Sequence, residues 1–243
     1  DINFDATIDS DKKIITINPD SNFSSEQTIY LAISDGIEDS SDNAITAASI
    51  SFIAADSDPP DLTFTPLNSA TGIAINSDIN ISFNEAIRNT DDTAVTDSNV
   101  DSLITLKDTN ASGADIAFEA IIDDKKQLIT IIPNSDFSSE QTIYVAIGAT
   151  VEDAANNAIT ASSITFTTAD STAPSVNFVP PDTSTGIPIT SDVTLTFDEA
   201  VRNVDDSAIT NSNVADLITL EYVSDNSPID FSATIDTDKK VIT

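Results

Sequence analysis

Phe23-Ser-Ser-Glu-Gln-Thr-Ile-Tyr30 recurs without change at Phe137–Tyr144, a shift of 114 residues. Working outward, Ile81-Ser-Phe-Asn-Glu-Ala-Ile-Arg-Asn89 returns as Leu195-Thr-Phe-Asp-Glu-Ala-Val-Arg-Asn203, and Leu103–Leu106 returns as Leu217–Leu220. One residue is lost in the loop that follows Leu220. Phe231–Lys240 then aligns with Phe118–Gln127 and with Phe4–Lys13. The chain therefore reads as three copies of one unit: residues 1–57 are a back half, 58–171 a complete unit, and 172–243 the front part of a third. A unit of this length is too long for a solenoid repeat and suits a bead on a string.

The joints between units are Phe52–Pro60 and Phe166–Pro174. Each closes a strand on an aromatic, passes through carboxylates and stiffens at proline. Because Asp1 opens in mid-pattern, the chain is expected to belong to something longer.

Inside the complete unit the apolar residues alternate with polar ones. Ile79, Ile81 and Phe83 share one face, as do Ile116, Phe118, Ala120 and Ile122, then Ile143, Val145 and Ile147. A two-residue period of this kind makes half-buried strands, and turn residues separate the runs. The predicted strands are 62–65, 78–84, 103–107, 115–122, 127–132, 142–148 and 159–168. Thr96–Leu103 departs from the alternation and predicts a single helical turn, repeated at Thr210–Leu217. About seven short antiparallel strands in this length predict an all-β fold of tandem immunoglobulin-like sandwiches, here traced up and down.

Composition narrows the function. Against nine Lys plus Arg stand 41 Asp plus Glu, for a formal charge of −32. Nucleic acid and anionic membrane surfaces are repelled by such a chain, whereas cations and high salt suit it. With no Cys, no disulfide holds the domains, and no apolar run approaches the ~18 residues of a membrane span. Catalysis finds little chemistry: His and Cys are absent, Trp is absent, and no G-x-S-x-G elbow occurs, so an enzyme is not expected.

The F-x-E-A-[IV]-R-N ending of the front strand, the D-x-K-x-x-I-T strand, F-S-S-E-Q-T-I-Y and the turn V-E-D-A-A-N-N-A-I-T at Val151–Thr160 together resemble bacterial Ig-like repeats of the S-layer and large-adhesin type. The resemblance covers essentially the whole chain. It implies a sandwich fold and an extracellular or cell-surface location, and it names no ligand. Asn156 stands where that family usually has glycine; asparagine tolerates the left-handed backbone such a turn needs.

An up-and-down tracing returns loops 85–102, 123–126 and 149–158 to the end where the joint enters. Asp56, Asp58, Glu85, Asp91, Asp92, Asp123, Glu152 and Asp153 then gather at one pole, and Asp170, Glu199, Asp205, Asp206 and Asp236 gather at its copy in the next unit. Two readings fit this pattern. Either Ca²⁺, which takes six to eight oxygens with tolerant geometry, binds at the joint and stiffens it, or the acids are the solvated loops of a salt-adapted surface. No EF-hand or G-G-x-G-x-D pattern is present, so any calcium site is assembled from separated loops.

Arg88 and Arg202 are expected to form internal salt bridges beside these loops, and Tyr30 and Tyr144 to be sandwich residues. The copies match at exposed as well as apolar positions, which fits a duplicated spacer. The expected function is an extender, stalk or filament-forming segment, whose partners are neighbouring repeats and identical chains in a filament or surface layer. The alternative is an adhesin module that recognises a glycan or protein through its loops.

Overall fold

A computed structural model describes residues 1–243, which divide into two compact units, Asp1–Ser171 and Thr172–Thr243. The first unit begins with two hairpins. Strand β1 (Phe4–Ile8) pairs with β2 (Ile15–Pro19), and β3 (Thr28–Ile33) pairs with β4 (Ala48–Ile53).

After the joint come β5 (Leu62–Thr65), β6 (Ile79–Phe83), the two-residue β7 (Arg88–Asn89), a 3-10 turn at Val100–Leu103 and β8 (Ile104–Asp108). They are followed by β9 (Phe118–Ile122), β10 (Leu128–Pro133), β11 (Thr142–Ile147), the two-residue β12 (Val151–Glu152) and β13 (Ser162–Thr167). The second unit contains β14 (Val176–Val179), β15 (Thr194–Phe197), a 3-10 turn at Val214–Leu217 and β16 (Val241–Ile242).

Residues 58–171 carry seven principal strands in two sheets, β5-β6-β10-β9 and β13-β11-β8, with β7 and β12 paired separately. Lettered A to G in chain order, the seven give A-B-E-D against C-F-G, the immunoglobulin constant-type arrangement. Strand count and sheet class agree with the sequence reading; the up-and-down tracing does not. β6 pairs with β10 and β8 with β11, so the chain crosses between sheets instead of adding each strand beside its predecessor.

The alternating residues explain why the two sheets stack. Ile79, Ile81, Ile129 and Ile131 of one sheet and Ile143, Val145 and Phe166 of the other are fully or almost fully buried. Phe137 meets Phe166 edge to face at 6.0 Å, and the copy Phe23–Phe52 repeats the contact at 5.8 Å. Such a pair adds about 0.5 to 1.5 kcal/mol beyond its area.

The repeat is written in the backbone as well. Left-handed residues recur in corresponding places: Glu26 and Glu140, Asp42 and Asn156, Ser69 and Thr183, Asp92 and Asp206, and Lys12, Lys126 and Lys239.

Candidate functional site

The joint is held to the sandwich at both ends. Where it begins, Ala54 N–H donates to the Gln27 carbonyl, and the Ser25 hydroxyl donates to Asp56 Oδ1 at 2.8 Å. Where it ends, Asp61 N–H donates to Asn84 Oδ1 at 2.8 Å, and Asn84 N–H returns a bond to the Asp61 carbonyl. Asp56 is thereby brought beside the turn after β6, which carries Glu85.

The third member is Asp153, which follows β12. Arg88 on β7 donates through Nε to Glu152 Oε1 at 3.2 Å and through Nη2 to Asp92 and Asn156, which ties the β6–β7 turn to the β12 turn. Ile87 N–H donates to the Lys126 carbonyl and adds the β9–β10 turn. These bonds bring three distant loops to one end of the sandwich.

Asp56, Glu85 and Asp153 each offer a carboxylate oxygen within 4.8 Å of the others. Like charges at that spacing repel by about 1 kcal/mol per pair in a water-like dielectric and about 4 kcal/mol at an effective dielectric of 20. Glu85 registers the crowding: burial first, then the charges of Asp153, Asp56 and Glu26, hold its carboxyl above the ordinary glutamate range.

Asp153 behaves the other way. Burial pushes it up, but donors from Asn157 and Ala155 outweigh burial and bring it below the ordinary aspartate range. Its Oδ1 accepts from Ala155 N–H at 2.7 Å and Asn157 N–H at 2.9 Å, and its Oδ2 accepts from the Asn157 amide at 2.8 Å. A carboxylate has about four acceptor positions, so roughly one remains for an outside donor or cation.

The other acids named from the sequence are held elsewhere. The pole does collect their loops, but their carboxylates serve local partners: Asp91 takes Thr93, Asp92 and Glu152 take Arg88, and Asp123 takes the N–H groups of Gln127 and Leu128. Asp58 follows Asp56 on the exposed joint and donates its own N–H to Asp56 Oδ1. Asp170 accepts from Ser139, as Asp56 does from Ser25.

In the second unit Asp205 accepts from Ser207, Asp206 pairs with Arg202, and Asp236 accepts from Lys240 and Val241, while Glu199 lies in the turn after β15. Short Asp side chains in turns satisfy neighbouring N–H groups before they reach anything distant. This local capture explains why residue type and loop position alone overstate the cluster.

Glu26 is the residue the sequence reading missed. Register could have found it: Thr28 pairs with Ile53, so the residue two before β3 lies opposite the residue two after β4, and Glu26 N–H donates to the Ala55 carbonyl.

The fold and this pole define a class of protein, an all-β chain of immunoglobulin-like sandwiches joined through acidic linkers. Residues 56–168 match the family model described as a bacterial Ig-like domain, and the fold of those residues agrees with it. That domain type is non-catalytic and occurs in bacterial surface proteins. A search of curated proteins gave no match. No helix of the chain is long and apolar enough to cross a membrane.

Proposed function

We propose that this chain is a structural extender of a bacterial cell-surface or secreted protein, with the joint before the complete repeat stiffened by calcium. The observation that carries the reading is the meeting of Asp56 from the joint, Glu85 from the turn after β6 and Asp153 from the turn after β12. An ion there would tie the linker to two loops of the sandwich that follows it. Three carboxylates supply the hard oxygens Ca²⁺ prefers, and its irregular coordination accepts carbonyls or water for the remainder. Function on this reading is length and stiffness, with no turnover.

Extracellular calcium modules bind at about 10⁻⁴ to 10⁻³ M. About 10 mM calcium would then stabilise the folded state by roughly 1.4 to 2.7 kcal/mol by mass action. That corresponds to a melting-temperature rise of about 3 to 10 °C for a chain of this size. The test is thermal melting of the whole chain in calcium, in chelator, and in NaCl of matched ionic strength. A rise seen with calcium and not with matched NaCl supports the clamp; equal rises assign the acids to a salt-adapted surface.

A further inference from the structure

We infer that the N-terminal half-sandwich, residues 1–53, is an acceptor for the front strands of the second unit in another copy of this chain. Hairpins β1–β2 and β3–β4 correspond to β9–β10 and β11–β13 of the complete repeat, where they pack against β6 and β8. Here those partners are missing. β3 pairs with β4 alone, and β2 with β1 alone.

The consequence is an exposed core. Ile129, Ile131 and Phe166 are 0%, 0% and 1% exposed, whereas their counterparts Ile15, Ile17 and Phe52 are 46%, 37% and 41% exposed. Between the hairpins runs an open trough of about 450 Å³ lined by Ile15, Ile17, Leu31, Ile33 and Ile50.

The second unit has the complementary deficit. Its counterpart of β8, around Ile218–Leu220, forms no strand, and Leu220 is 37% exposed where Leu106 is 2% exposed. A second trough, about 310 Å³, is lined by Val193, Leu195, Ile218, Leu220 and Phe231. What the first half lacks, the second unit carries, in the same sequence order and the same face pattern.

The complete repeat supplies the register. Val145 pairs with Leu106 and Ile147 with Ile104, which transfers to Leu31 with Leu220 and Ile33 with Ile218. In the other sheet, Leu128–Ile131 pair with Ile79–Ser82, which transfers to Ile14–Ile17 with Val193–Thr196. Within its own chain β15 pairs with β16 through Leu195–Ile242 and Thr196–Val241 alone, so docking exchanges a two-residue partner for a four-residue one. The contact uses different surfaces on the two copies, so it propagates unless a ring closes.

Both copies are strongly acidic, so association belongs at about 0.5 M NaCl, where repulsion is screened over a few ångströms. Light scattering on the whole chain should show the mass rising with concentration from 25.6 kDa in whole multiples. Leu31→Asp disables the acceptor and Leu220→Asp the donor. Each variant alone should stay at one chain, and an equal mixture should form a two-chain species and stop there.

Where an aspartate variant fails to fold, cysteines give the answer. The chain has no native Cys. Facing residues of antiparallel strands lie about 4.5 to 5.5 Å apart at Cα, within disulfide reach. A Leu31→Cys chain mixed with a Leu220→Cys chain should therefore cross-link on oxidation, and a Tyr30→Cys chain, whose side chain points to the opposite face, should not. A wild-type chain that stays at the one-chain mass overturns the inference and leaves the trough to an intramolecular occupant. Oligomers that both aspartate variants still form, or cross-links indifferent to register, overturn it in favour of unspecific apolar association. Calcium enters none of these readouts, so the inference stands or falls separately from the joint clamp.

Discussion

Glu85 and Asp153 are neighbours with opposite responses to pH. Glu85 is held above the ordinary glutamate range, so the folded protein keeps a proton that the unfolded chain has lost. Its contribution is fully present at low pH and fades as pH rises through the raised value. Asp153 is held below the ordinary aspartate range; its contribution is present above the unfolded value and fades as pH falls through the lowered one. Glu85→Gln removes two of the three repulsions in the trio, each about 1 kcal/mol in a water-like dielectric. In chelator at neutral pH the variant should melt higher than wild type, by about 1 to 2 kcal/mol, and calcium should raise it less. A variant that melts lower in chelator would mean that Glu85 makes a stabilising contact that outweighs the crowding. Asn156 shows what single residues disclose in advance. Its φ of 72° is the left-handed backbone expected of asparagine in a glycine position, while its Oδ1 accepts from Arg88, a partner no local pattern announces.

At the scale of elements, β9 is an edge strand whose outer N–H groups are closed by side chains. Asp97 Oδ1 accepts from Ile122 N–H at 2.9 Å, and Asp101 Oδ1 accepts from Ala120 N–H at 2.7 Å. Both acids come from the segment around the 3-10 turn at Val100–Leu103, which therefore guards an edge open to pairing with other chains. The second unit repeats the device with Asn211, whose Oδ1 accepts from Ile235 N–H at 2.8 Å. Asp97→Ala should cost about 1 to 3 kcal/mol by leaving a half-buried donor without its acceptor. Asp97→Asn should recover most of that, since the second unit uses asparagine there. Denaturant melts of the two variants beside wild type decide it; equal losses would show that the charge, and not the acceptor, matters. The turn itself was legible because Val100 and Leu103 break the alternation, and the strands were legible because the alternation is otherwise regular. Sheet order was not. Period two says which face a residue takes, and β10 could have paired with β11 as readily as with β6 until the two sheets are stacked.

The molecule as a whole carries 41 acids against nine bases, so at most a minority of the carboxylates can have cationic partners. The ion pairs are confined to Arg88, Lys107 and Arg202, and two of the four link residues only four apart. Exposed pairs of that kind contribute a few tenths of a kcal/mol to about 1 kcal/mol, too little to offset a formal charge of −32. Tandem copying was legible because sequence identity survives any arrangement of strands. The trio at the joint was only half legible, because loop position gathers carboxylates at a pole but local turns then claim most of them. What remains is general self-repulsion, which acts over the screening length: about 30 Å at 0.01 M salt and about 3 Å at 1 M. Raising NaCl over that range should raise the melting temperature steadily, most steeply at the low end, where charges on opposite loops still sense one another. A melting temperature that does not move between those concentrations would show that the acids are already spaced beyond mutual reach. The repulsion at Asp56, Glu85 and Asp153 would then be a local property of the joint, separate from the charge of the chain.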